Sequence, residues 1–124
     1  MRRAANAMVA ELSARLATIA LRHTEASVLI LVNANDDLTA SALGRKLDIQ
    51  RANMVPLLGR LEAAGLLYRE PLDGKSHALL LTDAGRAKLK AAMAIITAFE
   101  TELVARVPEA HRDHLKPALD ALWQ

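Results

Sequence analysis

Gln50, Arg51 and Asn53 open an amphipathic stretch that runs to Ala64, and side chains of these kinds read base edges. An arginine guanidinium bridges the two major-groove acceptors of guanine, and a glutamine or asparagine carboxamide pairs with adenine. Each also has an ordinary role: Gln50 can cap the helix, and Asn53 can simply be solvated. Val55, in the same stretch, can meet a thymine methyl or turn into the core. Downstream, Asp73-Gly74-Lys75-Ser76-His77 is a polar run with a strong turn signal. Lys75, Ser76 and His77 can hold phosphate, or can be the solvated tip of a hairpin. Arg45, Lys46, Arg60 and Arg69 suit phosphate contacts, although Arg60 and Arg69 equally suit structural ion pairs.

Other chemistries have less to stand on. Cysteine is absent, which excludes disulfides, thiolate metal sites and thiol redox sensing. His111 and His114 lie three apart beside Asp113, but a metal would need a further ligand delivered by the fold, so no metal or other cofactor is expected. Ser13, Ser27, Ser41 and Ser76 sit in no nucleophile motif, and there is no glycine-rich phosphate loop. No catalytic residue is assigned, and no enzyme is expected.

The elements that would position these groups follow from periodicity and caps. Met8, Leu12, Leu16 and Ile19 recur at helical steps and predict a first helix over about 3–22. Thr24 can cap a second helix, whose centre (Val28 to Val32) is apolar all round and therefore buried. Asn33 to Asp37 ends it in a polar turn, and Leu38 lies in a short extended stretch. Thr39 or Ser41 caps a third helix to about Leu47, and Asp48 or Gln50 caps a fourth, which Gly65 stops. Leu47, Met54, Leu57, Leu58 and Leu61 form the buried side of this pair. Leu66–Arg69 and Ala78–Leu81 are predicted as hairpin strands. Thr82 or Asp83 caps a long helix to about Arg106, with a stripe of Leu89, Met93, Ile96, Phe99 or Glu100, Leu103 and Val107. Pro108 permits a break, and Leu115, Leu119 and Leu122 mark a last helix. Two short helices, a two-stranded hairpin and a new helix, in that order, are a helix-turn-helix with a β-wing.

The 124 residues suit one domain, rich in Ala and Leu, with a single Trp, Tyr and Phe, a composition that favours packed helices. No uninterrupted apolar run of membrane-spanning length and no signal-peptide pattern is visible, so the expectation is a cytoplasmic protein without a membrane partner. Net charge is only +2. Its basic excess in the middle of the chain is modest and equally describes a solvated helix surface. The terminal helices carry apolar stripes that one small winged unit does not cover. Either they pack on each other within one chain, or they pair with a second copy.

The segment from Thr24 to Arg86 resembles the MarR family of bacterial winged-helix transcription regulators. The resemblance rests on Leu38-Thr39, on Leu43 with Leu47 and Ile49, and on Arg60-Leu61-Glu62 followed by Gly65-Leu66. It rests also on Leu81-Thr82-Asp83-Ala84-Gly85-Arg86, which is similar to the family's L-T-x-x-G-R run after the wing. With the flanking helices it covers most of the chain, although the N-terminal helix is shorter than is usual there. Two places depart from the family. Val55-Pro56 stands where polar or basic residues are common, and a proline inside a helix lacks an N–H and bends the axis. Lys75 stands where the family often has an arginine of an Asp-x-Arg pattern, and lysine supplies charge without the flat fork.

The resemblance implies a mainly α (α+β) fold: a winged helix-turn-helix over about 24–86, with a two-stranded wing. Terminal dimerisation helices over about 3–22 and 83–123 complete a single MarR-like domain over 1–124. It implies a homodimer on a pseudo-palindromic operator in double-stranded DNA, acting as a repressor. It also implies a small-molecule effector, often aromatic or anionic, that binds near the junction of dimer and DNA-binding parts. The expected DNA-binding residues are Gln50, Arg51 and Asn53 on the recognition helix, Arg45, Lys46 and Arg69 on phosphates, and Lys75, Ser76 and His77 at the wing. The competing expectation is a winged-helix interaction module that has lost specific DNA binding, which Pro56, Lys75 and the small net charge favour.

Overall fold

The computed structural model describes residues 2–121, which form six helices and one two-stranded antiparallel sheet. In chain order these are α1 (Arg2–Ala17), α2 (His23–Ala34), α3 (Ala40–Leu47), α4 (Arg51–Ala63), β1 (Leu67–Pro71), β2 (His77–Leu81), α5 (Asp83–Arg106) and α6 (Glu109–Ala121). This is the expected winged helix-turn-helix flanked by terminal helices. Leu16, Val28, Leu29, Leu43, Leu58, Leu61 and Leu79 are fully buried at its centre. The apolar middle of α2 is the hub, touching α1, α3, α5 and β2.

Three helices end by the same device. At Ala20, Asp48 and Gly65 the backbone enters the left-handed region, with φ of 56°, 54° and 75°. The next amide then reaches the carbonyl five residues back: Leu21 N to Leu16 O at 3.2 Å, Ile49 N to Gly44 O at 2.9 Å, and Leu66 N to Leu61 O at 2.9 Å. An apolar side chain follows each reversal and tucks inward, which is the usual partner of this stop. Glycine is the residue that accepts such a φ without strain, and only Gly65 shows it openly. This explains two departures from expectation. α1 stops at Ala17 instead of about Arg22, because an alanine occupies the left-handed position. Asp48 closes α3 and does not cap α4, while Gln50 takes the position before α4 without a side-chain cap bond.

Other boundaries shift for equally local reasons. Thr24 lies inside α2; Arg22 precedes the helix, and its amide donates to Glu25 Oε1 at 2.8 Å. Thr39 is the cap of α3, accepting from Ala42 N at 3.2 Å. The hairpin is longer than predicted, because bonds from Leu72 N to Ser76 O (2.9 Å) and Ser76 N to Asp73 O (3.1 Å) close a tight tip. Pairing therefore extends to Pro71 opposite His77, and His77 becomes a strand residue. The extended stretch at Leu38 joins the wing edge, its carbonyl accepting from Leu79 N at 2.8 Å. On α5 the inward stripe is Gly85, Leu89, Ala92 and Phe99; Met93, predicted inward, is 41% exposed. Leu115, Leu119 and Leu122 lie outside the residues whose side chains are described.

The run Thr82 to Arg86 is a joint. Thr82 Oγ1 accepts from Gly85 N at 2.9 Å and donates to Gly65 O at 2.5 Å. A Cβ on Gly85 would stand 2.1 Å from Leu66 O, so only glycine lets α5 pass so close to the end of α4. Arg86 Nη1 reaches Leu81 O at 3.0 Å. Farther out, α5 is tied to α1 by charge. Arg106 bonds both carboxylate oxygens of Glu11 (2.9 and 3.1 Å), and Arg15 bonds Glu11 and Glu102 while lying 5.1 Å over the Phe99 ring. Hydrogen bonding from Arg106 first, and then from Arg15, holds the Glu11 carboxyl below its ordinary value against the opposing effect of desolvation. Lys88 Nζ donates to Ile19 O at 2.6 Å, just past the end of α1.

Candidate nucleic-acid interface

α3 and α4 meet at the Asp48 reversal and leave an open hollow of about 460 Å³ between them. Ser41 and Arg45 from α3, Gln50, Arg51 and Val55 from the start of α4, and Arg69 from β1 line it. The fold thus gathers four expected residues, Arg45, Gln50, Arg51 and Arg69, around one surface. Arg45, Gln50 and Arg51 are exposed there. Arg69 is also engaged elsewhere: its Nε and Nη2 both donate to Glu62 Oε1, at 2.9 and 2.8 Å. Lys46 is exposed in the last turn of α3, next to Arg45.

Asn53 faces the other way. It lines a second hollow, of about 420 Å³, together with Arg22, Thr24, Pro56, Leu57 and Arg60. Arg60 leans toward Glu25, with Nε 3.7 Å from Oε2, and Glu25 is buried to 4% exposure beneath it. Arg60 is thereby a partner of a buried carboxylate as well as a surface cation. Lys75, Ser76 and His77 are exposed at the far end of the wing, and Gly74 makes the turn there with φ 59°.

The middle of α4 separates the two hollows. Met54, Leu58 and Leu61 face the core. Helical geometry therefore directs Ala52, Val55, Pro56 and Gly59 outward, and all four are exposed. Val55 is 65% exposed, which rules out the core role of its two alternatives. Ala52 and Gly59 were not singled out from the sequence; the signal that finds them is the face opposite Met54, Leu58 and Leu61. Among the described residues, no three His, Cys, Asp or Glu side chains gather as a metal would need, and no helix is long and apolar enough to cross a membrane.

Comparison with known proteins places this arrangement. The profile of the MarR family matches residues 21–76, which run from the end of the α1 turn to the wing tip. The chain is similar to the transcriptional repressor CouR bound to a 23-mer DNA duplex, with 32% identity and a TM-score of 0.89, covering 99% of this chain and 89% of that one. It is also similar to the Mycobacterium tuberculosis MarR family protein Rv2887 in complex with salicylic acid, with 28% identity and a TM-score of 0.79, covering 98% and 91%. The curated HTH-type transcriptional repressor Rv2887 of Mycobacterium tuberculosis is 29% identical over 114 residues, covering 90% of this chain and 82% of that protein. From the helix pair, the wing and these likenesses together, the chain belongs to the MarR family.

Proposed function

We propose that the chain is an effector-responsive transcriptional repressor that binds a pseudo-palindromic operator as a homodimer. The observation that carries this reading is the exposed start of α4, with Gln50 and Arg51 beside Arg45 and a projecting wing. The likeness to a repressor bound to duplex DNA supports it. Arg51 and Gln50 are assigned to base edges on one flank of α4 and Asn53 to the other. Arg45 and Lys46 are assigned to phosphates, with Arg69 held ready by Glu62. Lys75, Ser76 and His77 at the wing are assigned to the neighbouring backbone and minor groove. No catalytic role is assigned, and the site of action is the cytoplasm.

The homodimer reading draws on the terminal helices α1, α5 and α6, which we assign to pairing. Met8, Val9, Met93 and Val104 are exposed apolar residues on α1 and α5, and every described side chain of α6 is exposed. A second copy would bury such surface and set two α4 helices about 34 Å apart, one DNA turn. The effector reading draws on the salicylic acid complex of the similar Rv2887.

The test is gel-shift binding to the chain's own upstream DNA against a random competitor at two salt concentrations. A discrete, competitor-resistant and salt-sensitive shift is expected, and saturating salicylate should weaken it. No binding to any duplex at low salt would overturn the reading in favour of a protein-interaction module. An operator affinity unmoved by salicylate and other aromatic acids would remove the effector part alone.

A further inference from the structure

We propose that α4 adds to its site selection an apolar contact with thymine methyl groups, through Val55 with Ala52 beside it. This rests on the DNA-binding reading above. The outward ridge of α4 is Ala52, Val55, Pro56 and Gly59, and none of these side chains carries a hydrogen-bond donor or acceptor. Pro56 lacks an amide hydrogen as well. A ridge of this composition cannot tell bases apart by hydrogen bonds. In the major groove the apolar handle that distinguishes one base is the C5-methyl of thymine.

The size of the side chains points the same way. Ala, Val and Gly are short, so the helix axis can approach the groove floor more closely than long polar side chains would allow. Gly59 is informative here. A Cβ built on it meets nothing within 4 Å, whereas one on Gly44 would stand 3.1 Å from Ile49 O. Packing within the chain therefore explains Gly44 but not Gly59, and a mid-helix glycine is otherwise unfavourable. A bare backbone at Gly59 is accounted for by a surface that must come close to the second half of the ridge.

Charge identifies that surface as DNA. Arg51 flanks the ridge on one side, with Arg45 beyond it across the first hollow, and Arg60 and Asn53 flank it on the other. An apolar strip between cations complements a groove floor between two phosphate backbones. Hydrogen bonding is then left to the flanks, where Arg51 and Gln50 fix the register, while the ridge discriminates thymine from cytosine by shape and desolvation.

The experiment begins with selection of the preferred duplex from a random library, using the intact protein. Each thymine is then replaced singly by deoxyuridine, which keeps every hydrogen-bonding group and removes only the methyl. The expected result is a loss of about threefold to tenfold at one symmetry-related pair of positions, the scale of one buried methyl. Val55→Ala, at an exposed position where folding is preserved, should bind the thymine duplex more weakly and show no further loss with deoxyuridine at that pair. Arg51→Ala should keep the deoxyuridine effect. Specific binding that is indifferent to deoxyuridine at every position would overturn the proposal while leaving the repressor reading intact. Failure to select any preferred duplex would overturn both.

Discussion

Replacing Arg51 and Lys75 by alanine separates two kinds of contact. Arg51→Ala should relax base preference and cost about 1–3 kcal/mol at the selected site, whereas Lys75→Ala should weaken all duplexes alike and flatten the salt slope. Fluorescence anisotropy on specific and random duplexes at several salt concentrations measures both, and equal behaviour of the two variants would undo the assignment. A second test at this scale concerns Ala20, a non-glycine residue at φ 56°. Ala20→Gly should raise stability by about 0.5–1 kcal/mol, the relief of left-handed strain less the entropy glycine adds to the unfolded chain; an unchanged or lower urea midpoint would contradict it. Residue identity was a good guide to exposure at Gln50 and Arg51, which stand at the open start of α4. It was a poor one at Ala20 and Val55. Nothing in an alanine announces a left-handed turn, and nothing in a valine says which way it faces until the core side of its helix is known.

Element boundaries were legible wherever a helix is closed by its own side chains. Thr39, Thr82 and Gly65 all stand where their types predict. They were illegible where tertiary packing chooses the boundary, as in the two extra pairs of the hairpin, which depend on how the tip closes. The two glycines of the α4–α5 region should respond oppositely to a methyl. Gly85→Ala drives a Cβ into the Leu66 carbonyl and should lower stability by about 1–3 kcal/mol or more. Gly59→Ala meets open space and should raise the stability of the free protein by about 0.5–1 kcal/mol. Urea denaturation with unchanged m-values checks both. The L-T-x-x-G-R run is thus a joint between α4, the wing and α5, where close packing requires the glycine and two hydrogen bonds engage the threonine.

Over the whole molecule, a cluster of ion pairs ties α1 to α5, while the winged end is centred on buried apolar side chains. The α1–α5 end depends on Glu11 being charged between Arg106 and Arg15. Its carboxyl is depressed in the folded state, so its contribution is fully present above the ordinary carboxylate range and is lost as pH falls through the folded value. Glu11→Gln should therefore lower the melting temperature at pH 7, and the gap to the parent protein should narrow as pH falls below the ordinary carboxylate range; a gap that stays constant with pH would refute the linkage. The winged centre is held by the buried side chains of Val28, Leu29, Leu43 and Leu79, with Leu16 of α1 against them. The fold class was readable because order and periodicity repeat over the whole chain. The division of α4 into two flanks and a bare ridge was not, since it needs the actual direction of the core. The bond from Leu79 N to Leu38 O joins two residues buried to 1% and 4% exposure, while the tip a few residues away has no such anchor. Amide exchange with deuterium should accordingly be slowest at Leu79 and quicken steadily toward Lys75. The wing would then behave as a lever clamped at its root, its tip sampling many positions in the free protein and settling into one only when something grips it.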